Sequence, residues 1–160
     1  MKTKTNLLVT ILVVLVSIHV WGQADKPKPL NEKATSAAWD ALNASKYEAA
    51  ITNANLCIDE FRGQATRLQE KLQNGKADLP TGAVSDDVKK KIFENGLLND
   101  VAACYFIQGK AAEKLGRIDD AKKAYIEAKK LTYARVWDPQ GWFWSPAEGA
   151  GDRLDALQPK

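Results

Sequence analysis

One histidine, two cysteines and five tryptophans set the limits of what this chain of 160 residues can do chemically. His19 stands inside an apolar run near the N-terminus, so a processed chain would hold no imidazole. Without it neither a Ser-His-Asp nor a Cys-His nucleophile system can be assembled, and the usual mixed Cys/His zinc site is excluded as well. Catalysis would have to rest on carboxylates, lysines, tyrosines or the thiols of Cys57 and Cys104. These form no catalytic constellation in the sequence, so the expectation is a non-enzymatic binding protein without metal or cofactor.

The aromatic groups point to binding in their own way. The stretch "VWDPQGWFWSPAEG" places Trp137, Trp142, Phe143 and Trp144 within eight positions. Such a tract is either a lid over the core, offering about 150 to 250 Å² per ring, or an exposed platform that grips a partner. Tryptophans beside Asp138 and Glu148 would also suit a glycan. A β-glucanase-like enzyme would need two carboxyl groups about 5 to 10 Å apart in a cleft with separated acidities. Sequence alone does not establish that pair.

The N-terminus reads as a secretory leader over residues 1–24: "MKTKTN" carries two lysines, "LLVTILVVLVSIHV" is an apolar run of 14, and "WGQAD" supplies small residues for cleavage. The run is shorter than the ~20 residues of a membrane-spanning helix. Cleavage between Gly22 and Asp25 would deliver the chain to the periplasm or the medium, with no membrane span left. Taking Lys2 and Lys4 from the 23 basic residues leaves 21 against 20 acidic ones, a formal charge of +1. Near neutrality argues against nucleic acid as a partner, and the lysines of "DDVKKKIF" and "KKAYIEAKK" fall at the spacing of solvated helix faces. Asn43-Ala44-Ser45 matches a glycosylation acceptor, which a bacterial-style leader makes irrelevant.

The elements that position these residues follow from periodicity. After a linker at residues 25–31, apolar residues recur every three or four positions in four segments. The first, about Asn31 to Ala44, carries Ala34, Ala37, Ala38 and Ala41. The second is a long helix from Tyr47 to Asn74, closed at Gly75 by a left-handed turn. A third begins at Ser85 as N-cap, with Asp86 and Asp87 against its dipole and a kink at Glu94 to Gly96. The fourth carries Ile118, Ala121, Tyr125, Ala128 and Leu131. Asp138 to Gly141 has the preferences of a type I turn, and Ser145-Pro146-Ala147-Glu148 those of a capping box opening a short last helix. If the second and third helices form an antiparallel hairpin, residues whose numbers sum to about 160 face each other. Cys57 and Cys104 are then neighbours and a candidate disulfide pair in an oxidising compartment.

The third and fourth helices resemble the tetratricopeptide repeat, W-x2-L-G-x2-Y followed by A-x3-F. Tyr105, Gln108, Gly109 and Ala112 stand at the first four positions, Ala121 and Tyr125 at the next two, and Ala128 at the following small site. A fainter copy runs through Ala34, Ala37, Ala38 and Ala41 to Ala50, Ala54 and Cys57, and Ala50 and Ala121 lie 71 positions apart, close to two 34-residue periods. The resemblance implies an all-α, right-handed stack of antiparallel hairpins over residues 32–134, capped by the Trp-rich segment 135–160. It also implies a concave face that binds peptide segments of envelope proteins, with Trp39, Leu42, Asn43, Phe106, Lys110 and Lys114 at the groove positions. Trp39 and Phe106 fit a buried core equally well.

Overall fold

The computed structural model describes residues 28–158; the leader, its cleavage site and His19 lie outside them. Among the described residues are six helices and one two-stranded sheet: α1 (Leu30–Asn43), α2 (Tyr47–Asn74), α3 (Asp86–Phe93), α4 (Gly96–Lys114), α5 (Ile118–Lys130), β1 (Val136–Asp138), β2 (Trp142–Trp144) and α6 (Pro146–Ala156). The chain is thus mainly helical, and the hairpin of β-strands is an addition to the all-α expectation. α1 starts inside the stretch read as linker.

Two helical hairpins repeat the same turn. α1 ends in a Schellman closure, Lys46 N–H donating to the Ala41 carbonyl and Ser45 N–H to that of Leu42, with Ser45 in the left-handed region at φ 58°. α4 ends the same way 71 positions on, through Arg117 to Ala112 and Gly116 to Glu113, with Gly116 at φ 74°. The residues that open the next helices have almost the same backbone, φ −88° and ψ 67° at Lys46 against φ −85° and ψ 68° at Arg117. Arg117 also pairs with Glu48, joining the two turns.

Small residues let these helices approach closely. Ala38, Ala50, Ala54, Cys57, Ala102, Cys104 and Ala111 are fully buried where α1, α2 and α4 meet. At the α4–α5 contact a Cβ added to Gly109 would lie 2.5 Å from the Tyr125 ring, so only glycine admits that tyrosine. α4 packs against both α2 and α1, and α6 packs against α5 and α4 in turn.

Two expectations about helix ends change. The helix expected after Ser85 with a kink at Glu94 to Gly96 is fully broken there into α3 and α4, where Asn95 turns its amide to the Lys91 carbonyl and Asn99 donates to Ile92 O at 2.9 Å. Ser85 does precede α3, but its side chain makes no capping bond. At the end of α2 the left-handed residue is Lys76, φ 49°, and not Gly75, φ −77°, which stays helical as the cap.

The C-terminal tract is anchored by buried polar side chains. Gln69 on α2 donates to Thr132 Oγ1 and accepts from Tyr133 N, while Asn99 accepts from Arg135 N. Beyond them β1 and β2 pair with Val136 opposite Trp144, Trp137 opposite Phe143 and Asp138 opposite Trp142. The Asp138 to Gly141 turn forms as expected: Gly141 N–H reaches the Asp138 carbonyl at 2.9 Å and Gln140 N–H its side chain at 2.8 Å. Gly82, from the loop after α2, exchanges two backbone hydrogen bonds with Phe143. Ser145 Oγ accepts from Glu148 N and Pro146 takes the first helical position of α6, so the N-cap half of the expected capping box forms.

Candidate functional site: an aromatic and acidic cleft

Strand pairing divides the aromatic tract between two faces. Phe143 is fully buried with Leu79 and Ile92, its ring 4.9 Å from that of Trp137 and 5.4 Å from that of Phe93. Trp144 points the other way, into the space between α1 and α4, with ring centroids 5.0 Å from Phe106 and 6.4 Å from Trp39. Trp142 remains 40% exposed. The tract is therefore a lid through Phe143 and Trp144, with Trp137 half-buried at its edge. Phe143 is the deepest of the four.

Trp144 occupies the middle of the surface where the groove was expected, so the six groove positions do not line one groove. Phe106 is buried between Trp144 and Tyr125, with Gly149 of α6 against it. Leu42 packs onto the main core and Asn43 is exposed at the end of α1. Lys110 and Lys114 border a separate depression of about 270 Å³ with Glu113 and Arg153. Of the six, Trp39 alone faces the open cleft that remains.

That cleft, about 550 Å³, lies between α1, the start of α4 and β1. Trp39, Phe93 and Trp137 give it aromatic walls; Glu32 and Asp100 bring carboxylates, and Arg135 a guanidinium. α1 presents Glu32, Thr35, Ser36 and Trp39 at three- and four-residue spacing, which is one helix face. α4 presents Asn99, Asp100 and Ala103 opposite. Phe93, half exposed, closes the end at the break between α3 and α4.

Asp100 is the unusual group. Burial pushes its carboxyl up to about 6, the hydrogen bond from Asn31 Nδ2 at 2.6 Å works against that rise, and the nearby charge of Glu32 adds to it. Arg135 is not among the groups that shift it; its Nε donates to the Leu79 carbonyl and its Nη1 to those of Thr132 and Ala134. Burial lowers the Arg135 pKa. The signal for this site lay in the stretch "GLLNDVAACYF", where one acid interrupts an apolar helix; the sequence reading passed over Asp100, Glu32, Phe93 and Arg135.

Beneath the cleft Thr35 touches both sulfurs, Cys57 Sγ at 3.7 Å and Cys104 Sγ at 3.2 Å. The two cysteines are neighbours, as the hairpin arithmetic requires. Both are free thiols, buried, so the candidate disulfide is not formed. The hydrogen bond with Cys57 and burial both raise the Cys104 thiol, which suits packing and not nucleophilic attack.

Compared with protein-family models, curated proteins and solved structures, the chain matches none. Among the described residues no group of acids, cysteines or histidines is placed to hold a metal, and no helix is long and apolar enough to cross a membrane.

Proposed function

We propose that the chain is an exported, non-enzymatic interaction protein of tetratricopeptide-like build, whose cleft between α1, α4 and β1 takes a short segment of another envelope protein. The observation that carries this reading is the cleft itself. It lies on the face shared by the first helices of two hairpins whose turns repeat in backbone geometry, and it remains open although Trp144 fills the adjacent surface. A cleft with three aromatic walls and a few polar groups is the usual composition of a binding site. The same packing order supports the tetratricopeptide likeness: α6 sits on α5 and α4 as α4 sits on α2 and α1.

A photo-crosslinking residue placed at exposed Ser36, on the cleft wall, tests the assignment in intact cells. A discrete protein adduct from this position, absent when the same group replaces exposed Lys123 or Thr52 on other helices, is the expected result. Equal labelling from all three sites, or none from Ser36, would remove the cleft from consideration. N-terminal sequencing of the same sample should begin between Gln23 and Asp25; an intact Met1 would contradict export with processing.

A second reading is favoured by the carboxylates. Trp39, Trp137, Asp100 and Glu32 in one cleft could hold a glycan, the rings stacking on sugar faces and the acids accepting from hydroxyls. Saturable quenching of tryptophan fluorescence by soluble cell-wall oligosaccharides, lost in Trp39→Ala, would favour it over the peptide.

A further inference from the structure

We propose that the cleft selects a basic side chain, lysine or arginine, on the bound segment, with Asp100 and Glu32 as its counter-charges and Trp39, Phe93 and Trp137 as the walls around its stem. This rests on the peptide-binding reading above and adds the chemistry of the ligand.

Charge complementarity carries it. The lining holds two acids and one cation, and the cation is committed to three backbone carbonyls. Glu32 pairs with Lys28 at 3.1 Å, an exposed i,i+4 contact of the kind that contributes little and exchanges readily. Asp100 faces Asn31 and Glu32 from α1, and the thiols of Cys57 and Cys104 from α2 and α4. No cation is among the described groups that shift it. A carboxylate partly withdrawn from water without a counter-ion is unfavourable, and an incoming ammonium or guanidinium relieves that cost.

The walls agree with the charge. Cations are attracted to the faces of tryptophan and phenylalanine rings. Two of these walls already meet an ammonium, since Lys89 Nζ lies 3.8 Å from the Trp137 ring centroid and 5.9 Å from that of Phe93. An acidic ligand would meet Asp100 and Glu32 at once. An apolar one would leave Asp100 desolvated and unpaired.

The proposal has a pH signature. A basic ligand favours ionised Asp100, so by linkage its affinity rises as pH climbs through about 6 and levels off above. An acidic or purely apolar ligand would follow the opposite course or none.

Selection of random peptides displayed on phage against the immobilised full chain at pH 7.5 and low salt is the direct test. The enriched sequences should share a lysine or arginine. Changing that residue to glutamine in a synthetic peptide should weaken binding at least about tenfold, and Asp100→Asn in the protein by a similar factor. The asparagine retains an oxygen to accept from Asn31, and a far-ultraviolet dichroism melt checks that the variant folds. Tryptophan fluorescence titrations should show weaker binding at pH 5 than at pH 7.5 for the parent and a flat profile for Asp100→Asn. Enriched peptides without a basic residue, or a basic residue indifferent to Asp100→Asn, overturn the proposal and leave the peptide-binding reading standing. A selection that enriches no peptide overturns both.

Discussion

At the scale of single residues, Asp100 works against the stability of the fold that holds it. Its folded pKa of about 6 exceeds the ordinary 3.8, so the folded chain binds this proton more tightly than the unfolded chain does. Between pH 3.8 and about 6 the contribution of this group to stability therefore falls as pH rises, and above that window the cost stays constant. A displacement of about two pKa units corresponds to about 3 kcal/mol at most. Asp100→Asn should accordingly raise the melting temperature at pH 7.5, with the gain shrinking towards pH 4. A variant that melts below the parent at pH 7.5 would refute this account. An acid that costs stability at neutral pH is the kind of residue a binding site retains at the expense of the fold.

At the scale of elements, the hairpin β1–β2 converts two-residue alternation into two separate plugs. Phe143 seals the small core of Leu79 and Ile92, Trp144 closes the space between Trp39 and Phe106, and Trp142 is left to solvent. Phe143→Ala should therefore cost about 3 to 5 kcal/mol in chemical denaturation, and Trp142→Ala less than about 1. Equal losses from the two would show that the alternation does not govern burial. Much of the helical frame was legible in sequence because the small residues Ala50, Ala54, Gly109 and Ala121 fall at helical spacing and have no other use. The strands were not legible: three residues each is too short for alternation to register, and "WFW" is apolar on both faces. The cleft was hidden for a different reason. Its walls come from Trp39, Phe93, Asp100 and Trp137, which share no helix face and meet only after the α3–α4 break and the hairpin are in place.

At the scale of the whole molecule, two hairpins leave an unfinished surface that α6 covers. An apolar helix face left open to water needs an element to cover it. Here that face is Phe106, Ala112, Ala121, Tyr125 and Ala128, and α6 meets it with Ala150, while Leu154 and Leu157 pack at its margin. The seat is also polar. Glu113 on α4 accepts from Tyr125 Oη at 2.6 Å and from Arg153 Nε at 3.1 Å, so α4, α5 and α6 are joined through one carboxylate. Burial alone would raise Glu113, but these two donors bring it below the usual carboxylate range. That contribution is present at neutral pH and is lost as pH falls through the lowered folded value. Ending the chain after Trp144 removes Arg153 and uncovers the apolar face together. The truncated protein should lose about 3 to 5 kcal/mol, roughly 10 to 20 °C in melting temperature, and should bind a dye specific for exposed apolar surface. Arg153→Ala, which keeps the cover and removes the ion pair, should cost less than about 1 to 2 kcal/mol at pH 7.5, with the difference from the parent narrowing at acid pH. A truncated chain that melts with the parent would mean that the two hairpins bury their own core and that α6 is dispensable to it.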